Sequence, residues 1–256
     1  MVKMNLIAKL IGVCAISLSF HAFASEADLL WVEVGVPNQI MRSKLDNYQW
    51  SEPEVIYSSK NSLTSIGVVK DLEENEFLVW TEQLKTRSVI MKMQRGNRQN
   101  SWSPAKLFID FGKENLASTM VVDRTNQIWL FFSSNQGDLD DVYLSIRSKS
   151  GWSTPTKVNS KNKVPDIQPH AKLTKDGDVY VSWRSYDFGT GDYLTQDVVF
   201  ELDKSLKSSY KTDPVVPELS FNDLVLPSYI PSTYTGLVYF PKNRIQQSVI
   251  ITPLFQ

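Results

Sequence analysis

Gly151-Trp152-Ser153-Thr154-Pro155 contains a motif that recurs along the chain, Trp-Ser followed within three residues by proline. Two further copies begin at Trp50 and Trp102, and a weaker one runs from Tyr210 to Pro214. The aromatic residues that begin these copies are 52, 50 and 58 residues apart. A motif that returns at a nearly constant period indicates a repeat protein.

A second marker recurs in phase with the first, an apolar run that ends in an aromatic residue. The aromatic residues, at intervals of 49, 52, 51 and 56, are Trp31, Trp80, Phe132, Trp183 and Tyr239. Because every repeat places its aromatic in the same phase, we expect these rings to pack between repeats rather than to form a carbohydrate platform. The tryptophans of the first motif are expected to hold a turn against the next repeat.

Each unit of about 50 residues contains four predicted strands. In the third unit they cover 119–123, 128–133, 142–147 and 155–158, where apolar and polar residues alternate between turn residues. The turns between first and second strands are predicted at Asp71–Asn75, Arg124–Asn126 and Lys175–Gly177. Four short strands at this period are typical of propeller blades, whose apolar faces must stack on neighbours.

We therefore predict an all-β fold, a β-propeller of about five four-stranded blades. Three units are complete, at about 65–110, 117–159 and 168–216. The first and last blades are incomplete: 28–58 supplies the second to fourth strands and 224–254 the first to third. Four blades with irregular ends fit the period almost as well.

The N-terminus has the pattern of a secretory signal peptide. Lys3 and Lys9 precede an apolar run from Leu10 to Phe20, and Ala22-Phe23-Ala24 fits a cleavage site. We predict a signal peptide at 1–24 and one propeller domain at 25–256, exported to the periplasm or secreted. The alternative is an uncleaved anchor, although the run is shorter than the roughly 20 residues that span a bilayer.

Cleavage changes the inventory of reactive side chains. Cys14 and His21 leave with the signal peptide, so His170 is the one histidine of the mature chain. This excludes disulfides and His/Cys metal clusters from it. Loss of Lys3 and Lys9 changes the formal net charge from −1 to −3. Without a basic stripe, neither nucleic acid nor an anionic membrane is the expected partner.

The Trp-Ser-x-Pro motif resembles the second half of the Asp-box of sialidase-like (BNR-repeat) propellers. The copy that begins Ser148-Lys149-Ser150-Gly151-Trp152 keeps the glycine and tryptophan of that box and lacks its aspartate. The resemblance implies a propeller. Sialidases of the family use an arginine triad, a Tyr–Glu pair, an aspartate and a Phe/Tyr-Arg-Ile-Pro motif. That last motif does not occur in this chain, so we carry over no catalytic residue.

In a propeller, two sets of connections lie on one face and usually surround the ligand site. The longest loop predicted there runs from Arg184 to Tyr193. Long polar and aromatic loops often carry function. We predict ligand contacts from Arg184, Tyr186, Asp187 and Tyr193; the alternative is a solvated glycine hairpin. His170, beside the predicted axis, is a further ligand-binding candidate, and its alternative is a purely structural role.

Carboxylates on the same face suggest two further kinds of site. Asp138, Asp140 and Asp141 could together bind calcium, although their spacing matches no known calcium loop and a solvated turn is the alternative. No other cofactor is predicted. Glycosidases need two opposed carboxylates, and the face offers Asp110, Glu114, Asp166, Asp187, Glu218 and Asp223. By analogy with five-bladed glycosidases, Asp166 and Asp187 are the catalytic candidates.

Three functions remain open on the sequence. The leading hypothesis is a non-catalytic, sialidase-like binding propeller that recognises a glycan, a cell-envelope component or a protein. The second is a glycoside hydrolase with a reduced carboxylate site. The third is a structural or assembly subunit, suggested by the incomplete terminal units.

Overall fold

The computed structural model describes residues 26–47, 49–137, 139–158, 162–202, 234–241 and 249–251. These residues form antiparallel strands and no helix, so none of them belongs to a helix able to cross a bilayer. The all-β prediction is confirmed. The predicted signal peptide and the weak motif copy at 210–214 lie outside the described residues.

The strands form four sheets, taken here in chain order. Sheet 1 begins with β1 (Glu26–Glu33), β2 (Asn38–Asp46), β3 (Gln49–Trp50) and β4 (Glu54–Ser59). Sheet 2 contains β5 (Ser62–Lys70), β6 (Glu76–Gln83), β7 (Ser88–Arg95) and β8 (Lys106–Ile109). Sheet 3 contains β9 (Asn115–Val122), β10 (Ile128–Asn135), β11 (Asp140–Ser148), β12 (Gly151–Trp152) and β13 (Thr156–Lys157). Sheet 4 contains β14 (Asp166–Leu173), β15 (Val179–Asp187) and β16 (Asp192–Phe200).

The last two described strands, β17 (Tyr234–Pro241) and β18 (Val249–Ile251), join sheet 1. β17 pairs with β1 on one side and with β18 on the other. The two incomplete units therefore share one sheet, in which β17 takes the place of the missing first strand. Tyr239 lies in this first strand, opposite Leu29, and not in the second strand of a separate blade as its spacing had suggested. The described residues thus form four sheets, the lower of the two counts that the period allowed.

Successive sheets stack face to face with their first strands adjacent. β17 contacts β5, β5 contacts β9, and β9 contacts β14. One apolar core fills the space between each pair of neighbouring sheets: the first contains Trp80, the second Phe132 and the third Trp183. This is the arrangement of propeller blades around an axis, which confirms the predicted fold.

A β-bulge recurs in the first strand of every sheet. At each bulge two residues of the first strand face one residue of the second. The facing residues are the repeated aromatics Trp31, Trp80, Phe132 and Trp183, all of them buried. The prediction that these rings are core residues is confirmed, and the bulges explain their common phase.

The Trp-Ser motif has a structural role near the end of the third strand in sheets 1, 2 and 3. The serine N–H donates to a carbonyl of that strand, and the serine Oγ accepts the N–H of the same residue. The serine and its partner are Ser51 with Lys44, Ser103 with Gln94, and Ser153 with Ile146, at 2.8–3.1 Å. The hydroxyl thus satisfies a strand N–H just where the following proline interrupts regular pairing.

Candidate functional site

The β15–β16 hairpin positions most of the predicted ligand residues. Its strands stay in register to the turn, where Tyr186 faces Tyr193 and Asp187 faces Asp192. Asp187 Oδ1 accepts the main-chain N–H groups of Gly189 and Thr190, at 2.6 and 3.2 Å. The carboxylate therefore caps the turn, as short aspartate side chains commonly do.

An aromatic and cationic group covers the end of this hairpin. The Tyr186 ring lies edge-on to Phe188 and to Tyr193, with centroids 5.1 and 5.3 Å away. Arg184 Nη2 donates to the Tyr193 carbonyl at 3.0 Å, and its guanidinium carbon lies 5.8 Å from the Tyr193 ring centroid. Phe188 is 75% exposed. We call Arg184, Tyr186, Phe188 and Tyr193 the hairpin cluster.

His170 lies on the same face of sheet 4 as this cluster. It pairs with Ser182, and Ser182, Arg184 and Tyr186 point to one face because side chains alternate along a strand. The opposite face carries Trp183 and packs on sheet 3. Four of the predicted ligand residues, His170, Arg184, Tyr186 and Tyr193, thus share one sheet face, and His170 and Arg184 are exposed there.

Asp166, the first catalytic candidate, is fully buried. Its Oδ1 accepts the Trp183 indole N–H at 3.1 Å, and its Oδ2 accepts from Asn162 Nδ2 at 2.8 Å. It begins β14 and pairs with Ser185, two residues before Asp187, which ends β15. Asp166 and Asp187 therefore occupy different surroundings, one inside the sheet edge and one in an exposed turn.

The other predicted acids of the loop-rich face have partners or near neighbours. Asp110 forms a bidentate ion pair with Arg87, whose Nε and Nη2 donate to its two carboxylate oxygens at 2.8 and 2.9 Å. Asp141 Oδ1 lies 2.6 Å from Lys157 Nζ. Burial, with the nearby charges of Glu114 and Asp141, raises the pKa of Asp140. Glu218 and Asp223 lie outside the described residues.

Asp138, the remaining member of the calcium candidate, also lies outside the described residues. Within the described part of the chain, no group of three or more His, Cys, Asp or Glu side chains is arranged to hold a metal ion. Asp141 lines an open cavity of about 260 Å³, together with Lys157 and Lys163. The calcium site stays a prediction.

A buried carboxylate that the sequence did not single out lies between sheets 1 and 2. Glu82, at the end of β6, accepts hydrogen bonds from Tyr57, Ser59 and Asn61 at 2.7–2.9 Å. Burial opposes ionisation, but these hydrogen bonds outweigh it and lower the pKa of Glu82. Burial, and then the Glu82 carboxylate, raise the pKa of Tyr57 to about 12. The phenol stays protonated and is not activated as a nucleophile.

Phe188, Tyr57 and Glu82 were not singled out from the sequence. The local sequence gives a signal for the first two and none for Glu82. Phe188 is a large apolar residue in a polar loop, and the structure exposes it on the hairpin cluster. Tyr57 ends an apolar stretch after a Trp-Ser motif, like several core residues. Glu82 follows an aromatic run as one acid among many, and its partners come from another repeat, so no local pattern marks it.

No protein-family model matches the sequence, and no curated protein matches it. Among solved structures, the chain is similar to a protein of unknown function from Dyadobacter fermentans, with TM-score 0.48 and 15% identity, over 59% of this chain and 52% of that one. The match thus spans about half of the Dyadobacter protein.

Two solved glycoside hydrolases from Bacteroides thetaiotaomicron are also similar. An endo-arabinase has TM-score 0.47 and 12% identity, over 89% of this chain and 93% of that one. An endo-1,4-beta-xylanase has TM-score 0.43 and 12% identity, over 69% of this chain and 72% of that one. Because these TM-scores are low, the likenesses carry no argument about site residues, substrate or activity, and the fold rests on the sheets described above.

Proposed function

We propose that the chain is an exported, non-catalytic, sialidase-like propeller that binds a glycan of the cell envelope through the hairpin cluster. The observation that carries the proposal is the exposed Phe188 ring beside Tyr186, Tyr193 and Arg184. Aromatic faces pack against the C–H groups of a sugar ring, and a guanidinium offers planar donors to hydroxyl or carboxylate oxygens. His170, on the same sheet face, adds an imidazole whose ring nitrogens can donate or accept a hydrogen bond.

The contacts of the two candidate acids favour binding over hydrolysis. A glycosidase needs one carboxyl group that donates a proton and a second that acts as nucleophile or base on the same bond. Asp166 is enclosed by Trp183 and Asn162, and Asp187 is engaged by turn N–H groups. Asp166, so held, offers no free oxygen to a sugar on the hairpin cluster, and Asp187 uses its Oδ1 to cap its own turn.

A glycan array on residues 25–256 tests the proposal. We expect binding to one sugar family, weakened at least about tenfold by Phe188→Ala and by Arg184→Ala. Lys175→Ala, in the exposed turn at the other end of sheet 4, is the matched control and should leave binding unchanged. The melting temperature of each variant shows whether weaker binding comes from a lost ligand contact or from unfolding. Absence of binding to every glycan, or binding indifferent to both hairpin variants, would overturn the proposal.

The hydrolase alternative has its own test on the bound glycan. Product analysis after long incubation should show no cleavage, and Asp166→Asn or Asp187→Asn should leave that result unchanged. Cleavage by the parent chain that either variant abolishes would assign a hydrolase instead. The assembly alternative was suggested by the incomplete terminal units. β17 fills the first-strand position that the 28–58 unit lacks, which weakens that argument.

A further inference from the structure

A groove between sheets 2 and 3 combines aromatic rings with cations. Its volume is about 180 Å³. Phe77, Lys92, Lys106 and Phe108 line it from sheet 2, and Trp152 closes it from sheet 3. It lies away from the hairpin cluster of sheet 4 and belongs to no function described above.

Two lysines line this groove, and Arg147 lies over Phe77 in its wall. Lys92 Nζ lies 4.3 Å from the Phe108 ring centroid, and the Arg147 guanidinium carbon lies 4.4 Å from the Phe77 ring centroid. Lys106 pairs directly with Lys92 across β7 and β8. Burial, then the charges of Lys106 and Arg147, lower the pKa of Lys92. The three cations therefore repel one another at close range.

No anion of the chain relieves this repulsion within the described residues. None of the residues lining the groove is acidic, and the ion pairs formed by the described residues include none to Lys92, Lys106 or Arg147. Two other half-buried cations of the described residues do have acid partners, Arg95 with Glu76 and Lys157 with Asp141. An external anion would gain the attraction of all three cations without displacing an internal partner.

The walls and the size limit what that anion can be. The Phe108 and Trp152 rings lie 4.6 Å apart and tilted by 59°, and both remain partly exposed. Gln94 at the rim offers an amide donor and acceptor for hydroxyl groups. The volume is below the roughly 300–1,000 Å³ of pockets for drug-sized ligands, so it suits one ring. We infer that this groove binds a single carboxylate-bearing sugar residue, a hexuronate, with its carboxylate among Lys92, Lys106 and Arg147.

Calorimetric titration of the mature chain with sodium D-glucuronate tests the inference, with D-glucose as the neutral match. We expect saturable binding of glucuronate that weakens as salt rises, and at least about tenfold weaker binding of glucose. Lys106→Gln and Arg147→Gln should each weaken glucuronate binding at least about fivefold. Lys85→Gln removes the same charge from an exposed loop of sheet 2 and should leave binding unchanged.

Four outcomes would overturn the inference. They are no heat of binding with glucuronate, equal binding of glucose, equal loss in Lys85→Gln, and binding of sodium sulfate as tight as that of glucuronate, which would show a site for charge alone. Arg184→Ala, which tests the hairpin cluster, should leave glucuronate binding in this groove intact. The experiments therefore test the hairpin cluster and this groove independently.

Discussion

The Tyr57 hydroxyl donates a 2.9 Å hydrogen bond to Glu82 Oε2 and so joins the fourth strand of sheet 1 to the second strand of sheet 2. Ser59 and Asn61 bind the other carboxylate oxygen. The four side chains form a small polar network at the edge of the apolar core that contains Trp80, whose ring lies 4.7 Å from that of Tyr57.

Burial of Tyr57, together with its hydrogen bond to Glu82, predicts an alkaline component of stability. The pKa of Tyr57 rises from 10.0 to about 12 in the folded chain, so the folded state holds this proton more tightly than the unfolded state. The stabilisation is complete below pH 10 and is lost as pH rises toward about 12. Urea unfolding between pH 9 and 11.5 should show a steeper fall for the parent than for Tyr57→Phe. Parallel curves would contradict the assignment.

Arg42 predicts a large effect of breaking one buried ion pair. It is 2% exposed, and its Nη2 lies 2.6 Å from Asp28 Oδ2. Arg42→Met leaves a buried carboxylate without its cation and should reduce the free energy of unfolding by about 3–5 kcal/mol. The double variant Arg42→Met/Asp28→Leu should regain most of that loss, because apolar residues can replace a whole buried pair. A loss under about 1 kcal/mol in the single variant would contradict the role of the pair.

The serines of the Trp-Ser motif predict small, equal and additive effects. Replacing Ser51, Ser103 or Ser153 with alanine removes the Oγ acceptor of a third-strand N–H. Each change should lower the free energy of unfolding, measured with urea, by about 1 kcal/mol. Because the three sites lie in different sheets, these losses should add. Glu52→Ala and Thr154→Ala, at the next position of two motifs, are controls expected to change little. A negligible triple-variant effect would leave the motif without a structural explanation.

Two glycines with positive φ predict different costs of adding a methyl group. At Gly112, with φ +80°, an added Cβ would lie 2.1 Å from the main-chain oxygen of Asn135. At Gly151, with φ +112°, nothing lies within 4 Å. Gly151→Ala therefore reports backbone strain alone, about 1 kcal/mol, whereas Gly112→Ala adds a clash that must displace the chain. Equal melting temperatures for the two variants would contradict this difference.

The shared sheet 1 predicts that β1 depends on β17. Deleting residues 234–256 removes the strand that pairs with β1 and leaves an open sheet edge. Hydrogen exchange at Leu30 and Val32 should accelerate, and unfolding should become broader. Deleting only 252–256, beyond β18, is the matched control. Unchanged protection of β1 after the longer deletion would contradict the pairing.

Local pattern predicted the strands within each repeat well, because alternation and turn residues act over a few positions. The third unit shows this: strands expected at 128–133 and 142–147 are β10 (Ile128–Asn135) and β11 (Asp140–Ser148). The common phase of Trp31, Trp80, Phe132 and Trp183 predicted their burial. Pairing of β17 with β1 left no such mark, since Leu237-Val238-Tyr239 has the spacing of another repeat and its partner lies some 200 residues earlier.

The candidate site was predicted only in part, for a related reason. Loop length and composition drew attention to Arg184, Tyr186 and Tyr193, which the hairpin does bring together. The hydrogen bonds that enclose Asp166 depend on Trp183 and Asn162, and those of Glu82 on a neighbouring sheet. A list of acids cannot show which ones are already engaged, because that depends on contacts made across strands and sheets.

The union of β1 with β17 also orders events during synthesis. A ribosome makes the second, third and fourth strands of sheet 1 first, and β17 and β18 last. Until residue 241 has been made, β1 has a free edge able to pair with a foreign strand. A nascent chain of this topology therefore passes through most of its translation with one sheet unfinished. Shielding of β1 during that interval, by a chaperone or by delayed folding, would keep this edge from pairing with a foreign strand.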